Sequence, residues 1–252
     1  PRLWLFAGTG EGPPLAEALL AMGWRVRLSL VSEPAQRAYA AHPRLEVVIG
    51  PVGGVASIAS ALDQARDLGD AFSLVVDATH PFAQTISADL ASACSQRNLE
   101  LLRLQRPAPQ ANAPRERIHS LAGLEELAGL PLNGAHLLLA IGHRQLAQAV
   151  SHTPGAIHHA RLLPNAESLK VAMAAGLAAE RVACLRPTPW GLPWCDSVEA
   201  GLLRRWQIEA IVARASGGAT EACWRSLASQ LELQLILIQR PNEPAGGKGL
   251  GQ

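Results

Sequence analysis

Residues 72–83 are FSLVVDATHPFA, a short apolar run that stops at a polar turn closed by proline. An apolar run of this length predicts a strand buried in a parallel sheet, and ligands of open α/β sheets bind where such strands end. The turn carries a carboxylate, a hydroxyl and an imidazole on Asp77, Thr79 and His80. This pattern predicts a functional turn. The alternative is that Asp77 or Thr79 only caps the helix that follows.

The composition is typical of a compact globular protein. The chain has 252 residues, of which 48% are hydrophobic and 17% charged, and it is long enough for one large or two small domains. A net charge of +1 gives no broad attraction to nucleic acid, and the apolar runs are too short to span a membrane. The chain enters a strand pattern at once, so we expect no signal peptide and a cytoplasmic protein. The four cysteines have no metal-binding spacing, so we expect them to be reduced and mostly in the core, with no metal site.

Strand and helix patterns alternate along the first part of the chain. Regular alternation with short connections predicts a parallel sheet covered by helices on both faces. The predicted strands are 3–6, 25–31, 45–49, 74–77 and 100–104, and the predicted helices are 15–22, 34–41, 55–67 and 82–96.

A proline-rich segment at 106–114 interrupts this alternation and predicts a stiff connector between domains. Beyond it the alternation resumes. The predicted helices there are 121–128, 144–150, 166–176, 197–206 and 220–231, and the predicted strands are 136–141, 156–160, 181–185, 210–213 and 234–238. The predicted fold class is α/β, with two Rossmann-like lobes, parallel sheets and a cleft between them that suits a small molecule. The expected boundaries are a first lobe at 1–108, a second at 109–240 and a flexible, glycine-rich tail at 241–252.

The first predicted strand ends in a glycine-rich loop, AGTGEGPP at residues 7–14. Glycines let a phosphate approach the backbone, and the following helix is expected to supply free N–H groups and the positive end of its dipole. The loop differs from the full dinucleotide fingerprint because Pro13 stands at the third glycine position. It predicts a nucleotide site. The alternative is a tight strand-to-helix turn with a fortuitous glycine cluster.

The end of the second predicted strand bears on the choice of nicotinamide cofactor. A small neutral residue followed by a basic one, here Ser32 and Arg37, suits the 2′-phosphate of NADPH. Glu33 opposes that choice because a carboxylate repels a phosphate. The alternative for Ser32 is that it caps the next helix.

In the second lobe, polar groups follow three predicted strands. They are Arg214 with Ser216, Gly217 and Gly218 after 210–213, Arg161 after 156–160, and His143 after 136–141. Arginine binds carboxylates through two parallel hydrogen bonds, and the glycine-rich N-terminus of a helix binds anions. Each arginine or histidine alone is more often a solvated surface group, but their joint placement at strand ends predicts a substrate with many negative charges. No acid–base motif accompanies them, and this favours a reaction such as hydride transfer, whose chemistry belongs to the cofactor.

On these residues the chain resembles the precorrin-6A (or cobalt-precorrin-6A) reductase family of cobalamin biosynthesis. The most specific match is VDATHPFA at 76–83. The other matching segments are GTGE at 8–11, ARLLP at 160–164, RASGG at 214–218 and IQRP at 238–241. Two departures concern glycine-rich turns. The family usually has Lys-Asp where this chain has Arg214 and Ala215, and Ala7 stands where glycine is common.

The resemblance implies an oxidoreductase that uses NADPH to reduce one ring double bond of precorrin-6A, or of its cobalt form, to give precorrin-6B. It implies a cytoplasmic enzyme with a corrinoid substrate, for which neighbouring enzymes of the pathway are candidate partners. The residues implied in cofactor binding are Gly8, Thr9, Gly10, Glu11, Ser32, Ala78 and Thr79. Catalytic roles fall to His80 and Asp77, and the proton that accompanies the hydride comes from His80 or from water. Substrate binding falls to His143, Arg161, Arg214, Ser216, Gly217 and Gly218.

Two other functions remain open at this point. The first is a non-catalytic protein of two lobes that binds a nucleotide or a tetrapyrrole, and the motive for it is Ala215 in place of the family's aspartate. The second is a tetrapyrrole enzyme without a cofactor, such as a cyclising synthase. The glycine loop after the first strand argues against that reading.

Overall fold

The structure is a computed structural model that describes residues 1–106, 117–186, 194–241 and 248–250. The chain divides into two compact units. Unit 1 is Pro1–Pro107 with Pro241–Gln252, and unit 2 is Ala108–Arg240. The predicted lobe boundary stays a prediction, and most of the predicted proline-rich connector lies outside the described residues.

Within the described residues, unit 1 is built on a six-stranded parallel sheet with strand order β12-β5-β4-β1-β2-β3. The strands are β1 (Arg2–Ala7), β2 (Arg25–Leu30), β3 (Leu45–Ile49), β4 (Leu74–Ala78), β5 (Leu101–Leu104) and β12 (Lys248–Leu250), and the helices are α1 (Gly12–Ala21), α2 (Glu33–Gln36), α3 (Gly54–Asp67) and α4 (Gln84–Ser95). The strand order reverses between β1 and β4. The carboxyl ends of these two strands therefore form the switch point at which ligands of open α/β sheets bind.

The central strands of unit 1 are apolar because both faces of the sheet are covered. Leu3 and Leu5 of β1 face the core that includes Ala16 of α1, whereas Trp4 and Phe6 face the opposite core, built with α3 and α4. Side chains alternate between the faces of a strand, so a strand covered on both sides needs a continuous apolar run.

Unit 2 repeats the arrangement, with strand order β6-β11-β10-β7-β8-β9 and all of its pairs parallel within the described residues. The strands are β6 (Ile118–Leu121), β7 (His136–Ala140), β8 (Ile157–Leu162), β9 (Val182–Cys184), β10 (Ala210–Arg214) and β11 (Gln234–Ile238), and the helices are α5 (Leu146–His152), α6 (Ala166–Ala174), α7 (Val198–Arg205) and α8 (Ala219–Gln230). Here the order reverses between β7 and β10. The two units together confirm the predicted α/β class with two Rossmann-like lobes.

Two predicted helices differ in the structure. The helix predicted at 121–128 is replaced by β6, which pairs with β11, and by a 3-10 helix at Leu124–Gly129. Leu124 and Leu127 are buried three residues apart, and this spacing matches the three-residue turn of a 3-10 helix. The helix predicted at 34–41 shortens to α2, which buries none of its residues and so gains little from packing.

Residues 248–250 differ from the flexible tail predicted at 241–252, of which 242–247 and 251–252 lie outside the described residues. Lys248–Leu250 forms β12 and pairs with β5 in parallel. The edge of β5 offers unpaired backbone groups, and a glycine-rich segment can satisfy them with its own backbone.

The cysteines also differ from the prediction that most of them are buried in the core. All four are free, but only Cys94 and Cys223 are buried, whereas Cys184 and Cys195 are exposed. Among the described residues, no helix has both the length and the hydropathy that a membrane span requires.

Candidate functional site

The two most informative segments of the sequence meet at the switch point of unit 1. β1 and β4 are neighbours in register, with Ala7 opposite Ala78, so the loop at 8–11 and the turn at 79–83 leave the sheet side by side. The Thr9 hydroxyl donates a hydrogen bond to the Ala78 carbonyl at 3.4 Å. The structure therefore brings together the predicted cofactor residues Gly8, Thr9, Gly10, Glu11, Ala78 and Thr79.

The glycines of the loop have different roles. A Cβ at Gly8 or Gly10 would meet no atom within 4 Å, so their backbone is open to a ligand. A Cβ at Gly12 would lie 2.2 Å from the Tyr39 Oη and 2.9 Å from the Ala7 Cβ. Gly12 therefore allows the close packing of helix on strand that the third glycine of a dinucleotide loop allows. Pro13 stands at the third glycine position of the dinucleotide fingerprint, but Gly12, one residue earlier, provides the close packing instead.

The start of α1 lacks the free N–H groups that the sequence predicted. The Gly12 N–H donates to the Thr9 carbonyl at 3.1 Å, Pro13 and Pro14 have no N–H, and the Leu15 N–H donates to the Glu11 carbonyl at 3.2 Å. The first turn of α1 consequently has no backbone donor left for a phosphate, and this corrects the prediction. Any donors must come from the loop at 8–11 or from side chains near it.

One such side chain is Arg106, which follows β5 and which sequence reasoning missed. Its Nη2 lies 2.7 Å from the Glu11 Oε2, and only 7% of its side chain is exposed. Burial alone would raise the pKa of the Glu11 carboxyl, but the hydrogen bond from Thr9 and the charge of Arg106 outweigh burial and lower the pKa. Glu11 and Arg106 therefore form a charged pair in the glycine loop. No local pattern indicates this pair, because 95 positions separate its members.

The turn after β4 is held by Asp77, which is 2% exposed. Its Oδ1 accepts hydrogen bonds from the Thr79 N–H at 3.0 Å and the Thr79 hydroxyl at 2.6 Å. Its Oδ2 accepts from the Ser87 hydroxyl at 2.6 Å and lies 3.6 Å from the Arg103 Nη1. Both oxygens are occupied inside unit 1. These contacts position the turn, and the catalytic role predicted for Asp77 stays a prediction.

Helix capping does not explain the turn either. α4 begins after Ala83, and no side chain accepts a hydrogen bond at that N-cap. Neither Asp77 nor Thr79 acts as its cap. Instead, Ser87 in the first turns of α4 donates to Asp77 and ties the helix to the strand end.

His80 is half-buried in the same turn. Its Nδ1 accepts a hydrogen bond from the Phe82 N–H at 3.2 Å, and its carbonyl accepts one from the Ala83 N–H at 2.8 Å. Because the Nδ1 accepts, the neutral ring carries its proton on Nε2. The turn thus orients an imidazole N–H donor at the switch point, and its catalytic role stays a prediction.

After β2, the side chains of Ser32, Glu33 and Arg37 are all exposed. Ser32 occupies the N-cap position of α2 but makes no side-chain capping bond. The capping alternative is therefore not realised, and these three side chains remain available to a ligand at the end of β2.

In unit 2, Arg214 lies at the switch point between β7 and β10. Its Nε and Nη2 donate to the Gln145 Oε1 at 3.2 and 2.9 Å. It packs over Gly142, whose φ is +80° and where a Cβ would lie 3.6 Å from the Arg214 Nη2. Burial and then the charge of Arg144 lower the pKa of Arg214. Predicted His143 begins a 3-10 helix at His143–Gln145 after β7, and its Nδ1 lies 3.2 Å from the Ser168 hydroxyl.

The glycine turn after β10 already holds an internal carboxylate. The Gly217 N–H donates to the Glu221 Oε2 at 2.6 Å, and the buried Glu221 also accepts from the Arg225 Nε at 2.7 Å. The Gly217 N–H is thus already paired with a carboxylate, and the substrate contact predicted for Gly217 stays a prediction. Predicted Ser216 is buried, and predicted Gly218 is the N-cap of α8. The turn is further held by Arg240, whose Nε donates to the Ala215 carbonyl at 2.7 Å.

Arg161 lies within β8 rather than after it. Its side chain is 8% exposed, and its Nη2 lies 3.7 Å from the Oε1 of buried Glu199. Burial lowers the pKa of Arg161, and the charge of Glu199 opposes that effect. The Arg161 guanidinium therefore faces an internal carboxylate. This position differs both from the predicted substrate contact and from the alternative of a solvated surface group.

Comparison with known proteins gives consistent matches over nearly the whole chain. Residues 2–250 match the sequence model of the family described as Precorrin-6x reductase CbiJ/CobK. The Precorrin-6A reductase of Rhodobacter capsulatus is 31% identical over 245 residues, which cover 97% of this chain and 90% of that protein. The Cobalt-precorrin-6A reductase of Synechocystis is 28% identical over 246 residues, with the same two coverages of 97% and 90%. A solved structure, CobK precorrin-6A reductase, has a TM-score of 0.75 and 29% identity, and the match covers 98% of this chain and 91% of that one.

Proposed function

Because the chain belongs to the precorrin-6x reductase family, we propose that it uses NADPH to reduce one ring double bond of precorrin-6A, or of its cobalt form, to precorrin-6B in corrin ring synthesis. The family makes the chain an oxidoreductase that uses a nicotinamide cofactor, and NADPH is the finer part of the proposal. The observation that supports it best is the meeting of the glycine loop and the turn after β4 at the switch point of unit 1.

The loop at 8–11 fits a dinucleotide. The space above Gly8 and Gly10 is open where any other residue would place a Cβ, so a pyrophosphate can approach the backbone. Ala78 and Thr79 border the same space from β4, and the exposed residues after β2 would meet the adenosine ribose. When bound, the cofactor supplies the hydride for the double bond.

The turn after β4 would supply the proton that the reduction needs in addition to the hydride. Adding hydrogen across a double bond needs a proton at the second carbon. Asp77 holds the turn through Thr79 and Ser87, so the ring of His80 is presented in a fixed orientation with its proton on Nε2. Only the doubly protonated imidazolium is acidic enough for this step, so His80 would take up a proton first and would then donate the proton on Nε2 and return to a neutral ring. Water is the alternative donor.

In unit 2, Arg214 is the group that fits best with substrate carboxylates. It combines a guanidinium oriented by Gln145 with a position at a sheet switch point. His143 follows the neighbouring strand β7 and would add a second polar contact. Arg161 would contribute only if a substrate carboxylate replaced Glu199 as its partner.

Cofactor preference tests the finer part of the proposal. With precorrin-6A or its cobalt form as substrate, NADPH should be oxidised about tenfold faster than NADH at equal concentration, since a contact from Arg37 to the 2′-phosphate is worth at least about 1.4 kcal/mol. The loss of reduced-cofactor absorbance measures both rates. A preference for NADH would show that Glu33 holds the ribose instead. Binding of NADPH without oxidation in the presence of substrate would favour the non-catalytic binding protein.

A further inference from the structure

The proposed cofactor loop lacks a positive charge to balance the pyrophosphate of a dinucleotide. A dinucleotide pyrophosphate carries two negative charges, yet residues 8–15 contain no cation and do contain Glu11. The first turn of α1 offers no backbone donor, because Gly12 and Leu15 already donate within the loop and helix and the two prolines have no N–H. The dipole of α1 alone contributes only a fraction of a charge. A cation from elsewhere in the fold is needed.

Arg106 is placed to be that cation. It leaves the sheet just after β5, next to β4, and its Nη2 reaches the Glu11 Oε2 at 2.7 Å. Its side chain is 7% exposed and that of Glu11 25%, so their attraction is less screened than that of a surface pair. The planar guanidinium matches a phosphate as well as it matches a carboxylate. The Glu11 carboxylate therefore occupies an anion position beside the glycine loop.

We propose that Arg106 binds the pyrophosphate of the cofactor and that Glu11 holds the guanidinium at the loop until the cofactor arrives. This inference rests on the proposed function, in which the loop at 8–11 is the cofactor site. On binding, a phosphate oxygen replaces the Glu11 Oε2 as acceptor. The exchange conserves a charge-assisted hydrogen bond and needs no additional donor. Glu11 thereby keeps a buried cation oriented in the unliganded protein and competes with the ligand for it.

The competing explanation is that Arg106 only neutralises Glu11 and never contacts the cofactor. A double-mutant cycle separates the two. The dissociation constant of NADPH is measured by fluorescence titration for the intact protein, Glu11→Gln, Arg106→Gln and the double variant. Direct binding predicts that Arg106→Gln weakens NADPH binding about tenfold to a hundredfold, the range of one to two charged hydrogen bonds. Glu11→Gln should bind NADPH more tightly than the intact protein, because the competing carboxylate is removed, and the double variant should stay weak.

Further variants keep the test specific. Arg106→Lys retains the charge but loses the planar fork, so its affinity should be intermediate. The Arg97 Nη2 lies 2.6 Å from the Oδ2 of Asp63 on α3, in a comparable ion pair of the same unit. Arg97→Gln removes this pair and should leave NADPH affinity unchanged. Inorganic pyrophosphate should compete with NADPH in the intact protein and lose that ability in Arg106→Gln. A purely structural role for Arg106 would not move this competition.

Two results would overturn the inference: NADPH affinity restored to the intact level in the double variant, or unchanged affinity in Arg106→Gln. Gly10→Val distinguishes this failure from failure of the proposed function. Its side chain enters open space, so the variant should fold and lose NADPH affinity. If Gly10→Val binds NADPH as the intact protein does, the loop is not the cofactor site. If Gly10→Val loses affinity while Arg106→Gln keeps it, only the role of Arg106 is wrong.

Discussion

Replacement of Asp77 by alanine is expected to destabilise unit 1 by about 3–5 kcal/mol, the range for removing one partner of a buried charge pair. Asp77 is 2% exposed and is the acceptor for the Thr79 N–H, the Thr79 hydroxyl and the Ser87 hydroxyl. Alanine would leave these donors, and the charge of Arg103 3.6 Å away, without their acceptor in the interior. Urea unfolding followed by circular dichroism measures the loss.

Asp67→Ala is the matched control, because this aspartate pairs with Arg66 at the surface and 68% of its side chain is exposed. Its effect should stay within about 0.5 kcal/mol, as for most surface substitutions. Asp77→Asn should fall between the two, since the amide keeps one acceptor oxygen but turns an NH₂ group towards other donors. A loss for Asp77→Ala no larger than that for Asp67→Ala would contradict the positioning role of Asp77.

Replacement of Arg214 by alanine is expected to weaken corrinoid binding by about 1.5–3 kcal/mol, the usual range for a hydrogen bond to a charged group. The guanidinium is oriented by Gln145 and packs over Gly142 at the switch point of unit 2, where a substrate carboxylate would meet it. NADPH affinity should change little, because the proposed cofactor loop belongs to unit 1. Titration with precorrin-6A and, separately, with NADPH measures both quantities.

Arg204→Ala is a suitable control for Arg214→Ala, because Arg204 is an exposed arginine at the end of α7 in the same unit. It should leave both affinities unchanged. Loss of NADPH affinity with corrinoid affinity retained in Arg214→Ala would reverse the assignment of ligands to the two units. The turn after β10 would then be the nucleotide site.

The parts of the fold that the sequence predicts well are those set by burial. β1 and β4 are covered on both faces, so their apolar runs are continuous, and the polar residues that follow them are the ones that the structure places at the switch point. The region at 118–129 was predicted less well. Its apolar residues at 118, 121, 124 and 127 recur every three positions, a spacing that is close to the helical period and does not reveal pairing with β11.

The candidate site was predictable only in its local parts. The glycine loop and the turn at 79–83 are continuous segments, and the structure brings them together. The partners that decide their chemistry are distant in sequence. Arg106 lies 95 positions from Glu11, and Arg103 reaches Asp77 only because their strands are adjacent. The missing N–H groups of Pro13 and Pro14 are visible in the sequence, but their consequence depends on Gly12 and Leu15 already donating.

The proposed reaction transfers a hydride from NADPH to a ring carbon of the substrate. Its most direct test supplies NADPH that carries deuterium at both hydride positions of the nicotinamide ring, with precorrin-6A or cobalt-precorrin-6A as substrate. The product should contain one deuterium on carbon and one hydrogen from solvent, with one NADP⁺ formed for each product molecule. A reduced product without deuterium, or no oxidation of NADPH with either substrate, would show that the chain does not carry out this reaction.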